Sequence, residues 1–212
     1  MAKKFIERIQ GSNAISFSEG AFVMMGIAGM PLPMPTIILQ QALMEEKMDR
    51  KKTSDILYLS GKIQGYNGCK MMAKKYGVKN KIELVDTVLG HFPMVGAGIM
   101  QLKKIDYEKK ECLLVNYHNP FAKAYKNLLG LQKDSIDHYI RGLSAGLFQY
   151  VFDDEVTSIE QKCIAQGNQF CLFKIKPTSV WRKNEEFTNQ IPSEEFHFDK
   201  LKDIQQLKHF LL

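Results

Sequence analysis

The chain has 212 residues, of which 45% are apolar, and a formal net charge of +6. This length can bury a sizeable core, and one domain with small terminal extensions is expected. Lysines and glutamates alternate over residues 103–111 and 182–195, as on a solvated surface, which argues against a nucleic-acid partner. Four cysteines without a secretory signal indicate a reducing, cytoplasmic environment with free or metal-bound thiols.

The N-terminal part of the chain predicts an extension and a first β-hairpin. Residues 1–12 form the extension, whose Lys-rich segment Ala2–Gln10 has the pattern of a short amphipathic helix. The alternation over residues 13–26 predicts a hairpin that turns at Ser18-Glu19-Gly20. The domain itself is therefore expected to begin at residue 13.

The following stretch is uncharged but lacks the pattern of a membrane helix. Residues 21–39 contain no charge over nineteen positions, which is long enough to span a bilayer. Pro31, Pro33 and Pro35 interrupt it and would leave backbone groups unpaired inside the hydrocarbon. A strand, a loop and a helix over Thr36–Met48 are predicted instead, with Pro35 at the helix start. The methionines of this region would either fill the core or mould around an apolar ligand.

Two predicted helices carry glycines on one face. The first spans Thr53–Tyr76, with Thr53 or Ser54 as its cap and Gly77 just beyond its end, and the second runs from about Ser135 to Phe152. Their small residues recur at helical spacing and are Gly61, Gly65 and Gly68 on the first helix and Gly142, Ala145 and Gly146 on the second. Glycine costs up to about 1 kcal/mol in a helix, so these positions predict the close approach of another backbone. We expect the two helices to cross there; a ligand lying across the bare backbone is the alternative.

A short helix and a second hairpin are predicted between these two helices. Lys81–Leu89 has an apolar stripe at helical spacing. Gly96–Ile105 and Glu111–Tyr117 have the pattern of two strands joined by a polar turn. Cys69 in the first glycine-bearing helix and Cys112 in the hairpin have no second ligand-type residue at metal spacing. Both are therefore expected to be buried small hydrophobic residues.

Residues 160–173 have the pattern of a β-hairpin that carries the other two cysteines. With Gln166-Gly167-Asn168 as a three-residue loop, Cys163 falls opposite Cys171, with Cβ atoms about 5 Å apart. With a two-residue loop, Cys163 faces Leu172 instead. We prefer the first register, because it lets the two thiolates share one metal ion.

Glu160 is the third candidate ligand at this hairpin. In a regular strand Glu160 and Cys163 point to opposite faces, so joint ligation needs a bulge between them. Two thiolates and a carboxylate suit tetrahedral Zn²⁺, with a fourth ligand from elsewhere in the chain. From the spacing alone, a disulfide and plain buried thiols stay open as alternatives.

The hairpin and the helix before it resemble the 4-vinyl reductase (4VR) domain. Glu160-x-x-Cys163 followed by Cys171-x-Phe173, with a glycine in the intervening turn, resembles the end of that domain. The family's preceding helix has the form Cys-His-aromatic-x-x-Gly-x-x-x-Gly, which residues 137–146 match except at the first position. Asn119-Pro120-Phe121-Ala122 resembles the short apolar turn before that helix. The resemblance extends over residues 15–175.

The resemblance implies a zinc site and an apolar binding space. In phenol-sensing activators of this fold group, the matching Glu and two Cys hold zinc together with the helix Cys. Asp137 replaces that Cys here and can ligate through oxygen, while His138 can ligate through nitrogen or act as a hydrogen-bonded structural residue. The implied ligand space lies between sheet and helices. The side chains expected to line it are Phe22, Met24, Ile63, Tyr66, Phe148 and Phe173.

The element order predicts an α+β fold, in which an antiparallel sheet has helices packed on one side. The resemblance implies the same fold, which the 4VR domain shares with acyl-binding subunits of trafficking complexes (TRAPP). The domain is expected to span residues 13–176, followed by a C-terminal extension over residues 177–212 with an apolar stripe in its terminal helix.

The expected function is the binding of a small hydrophobic or aromatic, hydrocarbon-like molecule by a homodimer with a structural zinc ion. Two alternatives stay open: an enzyme or enzyme subunit that reduces a vinyl group of a tetrapyrrole, and a dimeric scaffold without a ligand. The sequence contains no dinucleotide-binding fingerprint that would support the enzyme.

Overall fold

The structure is a computed structural model. It describes residues 32–78, 80–183 and 185–193 and, nearer the N-terminus, the backbone of residues 15–18, 21–24 and 27–29; of residues 94, 95, 185 and 186 it describes the backbone alone. The helices predicted at Ala2–Gln10 and near the C-terminus lie outside the described residues.

The described residues form two antiparallel sheets and six helices. The N-terminal sheet has the strands β1 (Ile15–Ser18), β2 (Ala21–Met24) and β3 (Ile27–Gly29). The main sheet has β4 (Met100–Asp106), β5 (Glu111–Asn116), β6 (Val156–Lys162) and β7 (Cys171–Pro177). The helices are α1 (Met34–Met48), α2 (Arg50–Tyr76), α3 (Lys81–His91), α4 (Pro120–Leu129), α5 (His138–Phe152) and α6 (Thr178–Trp181).

The main sheet confirms the predicted α+β fold. Its strand order is β4-β5-β7-β6, and every neighbouring pair is antiparallel. Along β7 the side chains of Cys171, Phe173 and Ile175 are fully buried, while Leu172 and Lys174 between them are half-buried. This alternation is that of a sheet with one face turned to a core. The main core lies between that face and the helices.

Helices α1 and α2 are separated by one residue. Asp49 has a φ of 85°, which breaks the helix, and its carboxylate accepts a hydrogen bond from the Lys52 N–H at 2.8 Å as the cap of α2. The prediction that α2 begins at Thr53 was therefore wrong by one turn, because residues 50–52 are all basic and show no apolar period. The predicted end is confirmed: Gly77 has a φ of 62° and caps the helix through its N–H.

Helices α2 and α5 cross at their glycines, as predicted. A Cβ on Gly146 would clash with the carbonyl oxygen of Lys62 and would lie 2.6 Å from the nitrogen of Tyr66. Gly142, Gly61 and Gly65 meet the opposite backbone in the same way. Gly68 differs, because a Cβ there would have nothing within 4 Å. The prediction that Gly68 belongs to the crossing was therefore wrong, because no backbone approaches it closely.

Helix α4 was missed by the sequence analysis, which placed a turn at residues 119–122. Pro120 is its first residue, a position where the missing N–H of proline costs nothing, and Asn119 caps it by accepting a hydrogen bond from the Ala122 N–H at 3.0 Å. The sequence contains both signals of a helix start, but the family resemblance favoured a turn at these residues. Helix α5 begins at His138, three residues after the predicted start.

The segment after β7 packs on the side of the sheet that faces away from the main core. Ile159 of β6 forms a small second core with Trp181, Ile191 and the half-buried Phe187. The Trp181 indole N–H donates to the carbonyl of Thr157 at 2.9 Å. Part of the predicted C-terminal extension is thus fixed against edge strand β6. Within the described part of the chain, no helix combines the length and apolar character needed to cross a bilayer.

Candidate metal centre

Four side chains of ligand type converge where β6, β7 and the start of α5 meet. Asp137 directly precedes α5, Glu160 lies on β6, Cys163 follows β6 and Cys171 begins β7. One potential ligand atom from each of these residues lies within 4.8 Å of those of the other three. All four side chains are buried, and none is more than 2% exposed. We call these four residues the DECC cluster.

A bulge in β6 brings Glu160 and Cys163 to the same side. Glu160 pairs with Phe173 and Lys162 pairs with Leu172, so two steps along β6 correspond to one along β7. The extra residue, Gln161, reverses the alternation between Glu160 and Cys163. The bulge that the sequence analysis required for these two residues to meet is therefore present.

The last strand pair has the preferred register, but the predicted three-residue loop is wrong. Lys162 pairs with Leu172, and this register sets Cys163 opposite Cys171. Cys163 opens a turn of 3₁₀-helix over Ile164–Gln166, and its carbonyl accepts hydrogen bonds from Gln166 N at 3.0 Å and Asn168 N at 3.2 Å. On the other side of β7, Cys171 pairs with Asn116 on β5. The connection is longer than the two or three residues expected, because the helical turn takes up residues 164–166. The two cysteine side chains converge in the DECC cluster, as this register predicts.

Each carboxylate of the DECC cluster has one occupied oxygen and one oxygen without a hydrogen-bond partner. Asp137 Oδ2 accepts a hydrogen bond from Asn119 Nδ2 at 2.6 Å, and Glu160 Oε2 accepts one from Asp137 N at 3.3 Å. Asp137 Oδ1 and Glu160 Oε1 are buried and have no such partner among the described residues. Buried carboxylate oxygens left in this state cost free energy unless a proton or a cation meets them.

The protonation equilibria of the DECC cluster are strongly coupled. Burial raises the pKa of Asp137 to about 6, and burial together with the neighbouring Asp137 carboxylate raises the pKa of Glu160 well above its usual range. A hydrogen bond between the two sulfurs lowers the pKa of Cys163 and raises that of Cys171. The four groups thus resist ionising together. A divalent cation would reverse this preference, because it releases protons from its ligands.

Arg141 is the buried cation next to the cluster, and the sequence analysis missed it. Its guanidinium donates to the carbonyl of Gln190 at 2.8 Å and to Ser54 Oγ at 2.9 Å, and lies 5.2 Å from the centre of the Tyr58 ring. Its charge lowers the pKa of Asp137 against the effect of burial. A signal was present, because Arg141 is the one Lys, Arg, Asp or Glu in the mostly apolar α5 sequence.

His138, the other candidate for the fourth ligand, lies outside the DECC cluster. Its Nε2 is 3.5 Å from Glu45 Oε1 on α1, and its Nδ1 is 3.4 Å from Arg141 Nη2. Burial lowers the pKa of His138 to about 4, which favours the neutral ring. The ring points elsewhere because His138 starts α5 and faces α1, whereas Asp137 precedes the helix and faces the sheet.

Of the six residues proposed to line a ligand space, the structure describes the side chains of four. Phe148 and Phe173 are fully buried in the main core. Ile63 and Tyr66 are half-buried on α2, where the Tyr66 ring packs edge-on against Tyr150 with centroids 5.6 Å apart. The side chains of Phe22 and Met24 lie outside the described residues. Cys69 and Cys112 are buried in the main core, as predicted, and burial raises the pKa of Cys69 to about 12.

A polar cleft of about 180 Å³ has Glu160 of the DECC cluster among its lining residues. The other residues that line it are Asp134, Ser135, Gln161, Gln166, Phe187, Asn189 and Gln190. Gln190 binds the backbone of Glu160 twice: its Oε1 accepts from Glu160 N at 2.9 Å and its Nε2 donates to Glu160 O at 3.0 Å. The segment after β7 therefore borders this cleft next to Glu160.

Comparison with known proteins gives similarity in structure but none in sequence. No family model and no curated protein matches the chain. The phenol-responsive sensory domain of the transcription activator PoxR, solved with phenol, superimposes with a TM-score of 0.76 at 10% identity, over 91% of this chain and 98% of that domain. This similarity confirms that the chain has the fold group implied by the 4VR resemblance.

Two further solved structures belong to the same set of neighbours. A vinyl-4-reductase family protein from Methanocaldococcus jannaschii has a TM-score of 0.45 at 22% identity, over 70% of this chain and 83% of that one. A trafficking protein particle complex subunit 3 from Naegleria fowleri, covalently bound to palmitic acid, has a TM-score of 0.49 at 12% identity, over 68% of this chain and 93% of that one.

Proposed function

We propose that this chain binds a small hydrophobic or aromatic molecule in a domain that a structural zinc ion holds together, with Asp137, Glu160, Cys163 and Cys171 as the zinc ligands. The observation that carries the zinc site is the pair of buried carboxylate oxygens without hydrogen-bond partners, Asp137 Oδ1 and Glu160 Oε1, beside two buried sulfurs. Two thiolates and two carboxylates form a four-ligand set of the kind that Zn²⁺ accepts in tetrahedral geometry.

The charges of the site fit a divalent cation. Four ionised ligands around Zn²⁺ leave two excess negative charges, of which the buried guanidinium of Arg141 offsets one. Four protein ligands also leave no open position for water, which is typical of structural zinc and not of catalytic zinc. The free thiols of all four cysteines fit the reducing, cytoplasmic environment expected from the sequence.

The test of the zinc site is metal analysis of the purified protein by inductively coupled plasma mass spectrometry. We expect about one zinc per chain, and less than about a tenth of that in the double variant Asp137→Asn/Glu160→Gln, because the zinc loses both carboxylate ligands. Asp154→Asn/Glu111→Gln is the control, because these two carboxylates undergo the same chemical change but pair with Lys110 and Lys176 outside the cluster. Wild-type protein that folds and contains no zinc would overturn the site.

The apolar ligand is supported by the similarity to the PoxR domain, which was solved with phenol. The main core contains the aromatic side chains of Phe121, Phe148 and Phe173, and aromatic side chains are typical of the lining of apolar ligand sites. The test is native mass spectrometry of the purified protein, followed by calorimetric titration with phenol and with palmitic acid as probes. A retained apolar compound or saturable binding of either probe is expected. If the protein retains no apolar compound and binds neither probe, the ligand proposal is wrong and the zinc site still stands.

Zinc is expected to leave through the cleft beside Gln190. Gln190→Ala removes two hydrogen bonds to the backbone of Glu160, each worth about 1 kcal/mol, so local opening and zinc loss to excess EDTA should become at least about tenfold faster. The matched control is Gln132→Ala, because that amide also makes two backbone hydrogen bonds but lies in an exposed loop. Stopped-flow release measured with a zinc-sensitive dye checks this; equal rates in both variants would exclude the route.

We also propose that the chain is a homodimer and that α1 takes part in the interface. Leu39 and Leu43 lie one helical turn apart on α1 and are 53% and 55% exposed. Leu39→Glu/Leu43→Glu is expected to weaken dimerisation at least about tenfold, because both charges would lose water at the interface. Ile82→Glu, at an equally exposed position on α3, is the control. Sedimentation velocity checks this, and a monomeric wild type contradicts the proposal.

A further inference from the structure

Asn119 touches two members of the DECC cluster, although its own place in the fold is the start of α4. The side chain is 1% exposed. Its Nδ2 lies 2.6 Å from Asp137 Oδ2 and 3.5 Å from Cys171 Sγ, and its Oδ1 accepts a hydrogen bond from Ala122 N at 3.0 Å. The orientation of the amide is fixed, because a backbone N–H can only donate and must therefore face the oxygen.

The two N–H bonds of this amide match the two acceptors. One hydrogen points to the Asp137 carboxylate and the other to the Cys171 sulfur, so a single planar group sets the distance between two proposed ligands. Because Asp137 Oδ2 is occupied by Asn119, Asp137 Oδ1 is left as the carboxylate oxygen without a hydrogen-bond partner among the described residues. Cys171 Sγ also accepts from Ile164 N at 3.3 Å. N–H···S bonds of this kind stabilise the negative charge of a metal-bound thiolate.

We propose that Asn119 is a positioning residue of the zinc site, which selects Oδ1 of Asp137 as the ligand atom and holds Cys171 Sγ at the metal. This inference rests on the proposed zinc function. It also accounts for an amide at this position, since serine or aspartate would cap α4 equally well but would not donate two N–H bonds toward the sheet. The metal site and helix α4 are thus tied together through one side chain.

The test is Asn119→Ser, with Asn80→Ser as the matched control. Asn80 caps α3 through hydrogen bonds from Ile82 N at 2.8 Å and Glu83 N at 3.4 Å, and both variants keep a serine cap. Zinc affinity, measured by competition with a chromophoric chelator, should fall by about tenfold to a hundredfold in Asn119→Ser and stay within about twofold of wild type in Asn80→Ser. The absorption bands of the Co²⁺-substituted protein should shift in Asn119→Ser alone, because the ligand geometry changes.

The wild-type protein provides a second measurement if Asn119→Ser does not fold. The side-chain amide protons of Asn119 should exchange slowly with solvent, and their NMR shifts should move when zinc is removed, whereas those of Asn80 should not move. Affinity and cobalt bands that are unchanged in a folded Asn119→Ser, or Asn119 amide shifts that do not respond to zinc, overturn the role of Asn119 alone. A wild type that binds neither Zn²⁺ nor Co²⁺ overturns the zinc site and this inference with it.

Discussion

Gly146→Ala is expected to lower the free energy of unfolding by about 3 kcal/mol, and the melting temperature by about 6–12 °C for a domain of this size. The added methyl group would clash with the carbonyl oxygen of Lys62 and lie 2.6 Å from Tyr66 N, and both atoms belong to the backbone of α2. A side chain could rotate away from such a contact, but a helix backbone cannot. The two helices would have to separate, and the packing of α5 on the sheet would be disturbed as well.

Gly68→Ala is the control for the same chemical change on the same pair of helices. A Cβ at Gly68 meets nothing within 4 Å, so alanine brings only its better helix propensity and should stabilise the protein by about 1 kcal/mol. Denaturant unfolding followed by circular dichroism measures both variants. If Gly146→Ala is as stable as Gly68→Ala, the close crossing of α2 and α5 is not what holds these helices together.

The fold was predictable where the sequence repeats a local signal. The hairpin over residues 100–116, the helix that ends at Gly77 and the glycine crossing follow from turn residues, caps and spacing. The start of α2 was not predictable in this way. Residues 50–52 show no apolar period, and the cap is Asp49 with a φ of 85°, a conformation that sequence spacing does not reveal. At helix α4 a local signal was present and was not followed. Its Asn-Pro start indicates a helix, but the family resemblance favoured a turn there.

The candidate site was predictable in its ligand types but not in its surroundings. The Glu-x-x-Cys and Cys spacing and the resemblance pointed to Glu160, Cys163, Cys171 and the Asp137 position. The geometry of the turn did not follow, because the 3₁₀ segment after Cys163 lengthens the connection. Arg141 and Asn119 were missed because each reaches the cluster from a different element, and such contacts are set by tertiary packing. Asp137 and His138 are adjacent in sequence, and the direction in which each points depends on where α5 begins.

Removal of zinc by a chelator is expected to lower the melting temperature of the wild type by about 8–16 °C. A ligand at about a thousand times its dissociation constant stabilises the folded state by about 4 kcal/mol, and each kcal/mol shifts the melting temperature of a domain this size by about 2–4 °C. The loss should be larger near pH 8 than near pH 5. The reason is that the pKa values of Asp137 and Glu160 are raised, so protons compete with the metal at low pH. Differential scanning calorimetry with and without EDTA checks both effects.

Cysteine variants separate the metal from ordinary core packing. Cys163→Ser and Cys171→Ser should melt close to the chelated wild type, and EDTA should lower their melting temperatures by less than about 2 °C, because little zinc remains to be removed. Cys69→Ser also buries a hydroxyl, at a cost of about 1–3 kcal/mol, but its sulfur lies in the main core on α2 and not in the DECC cluster. This variant should keep the full response to EDTA on top of that cost. The change in melting temperature on adding EDTA therefore identifies the ligands, even where the variants are equally destabilised. An equal change in all three variants would show that the two cluster cysteines hold no metal.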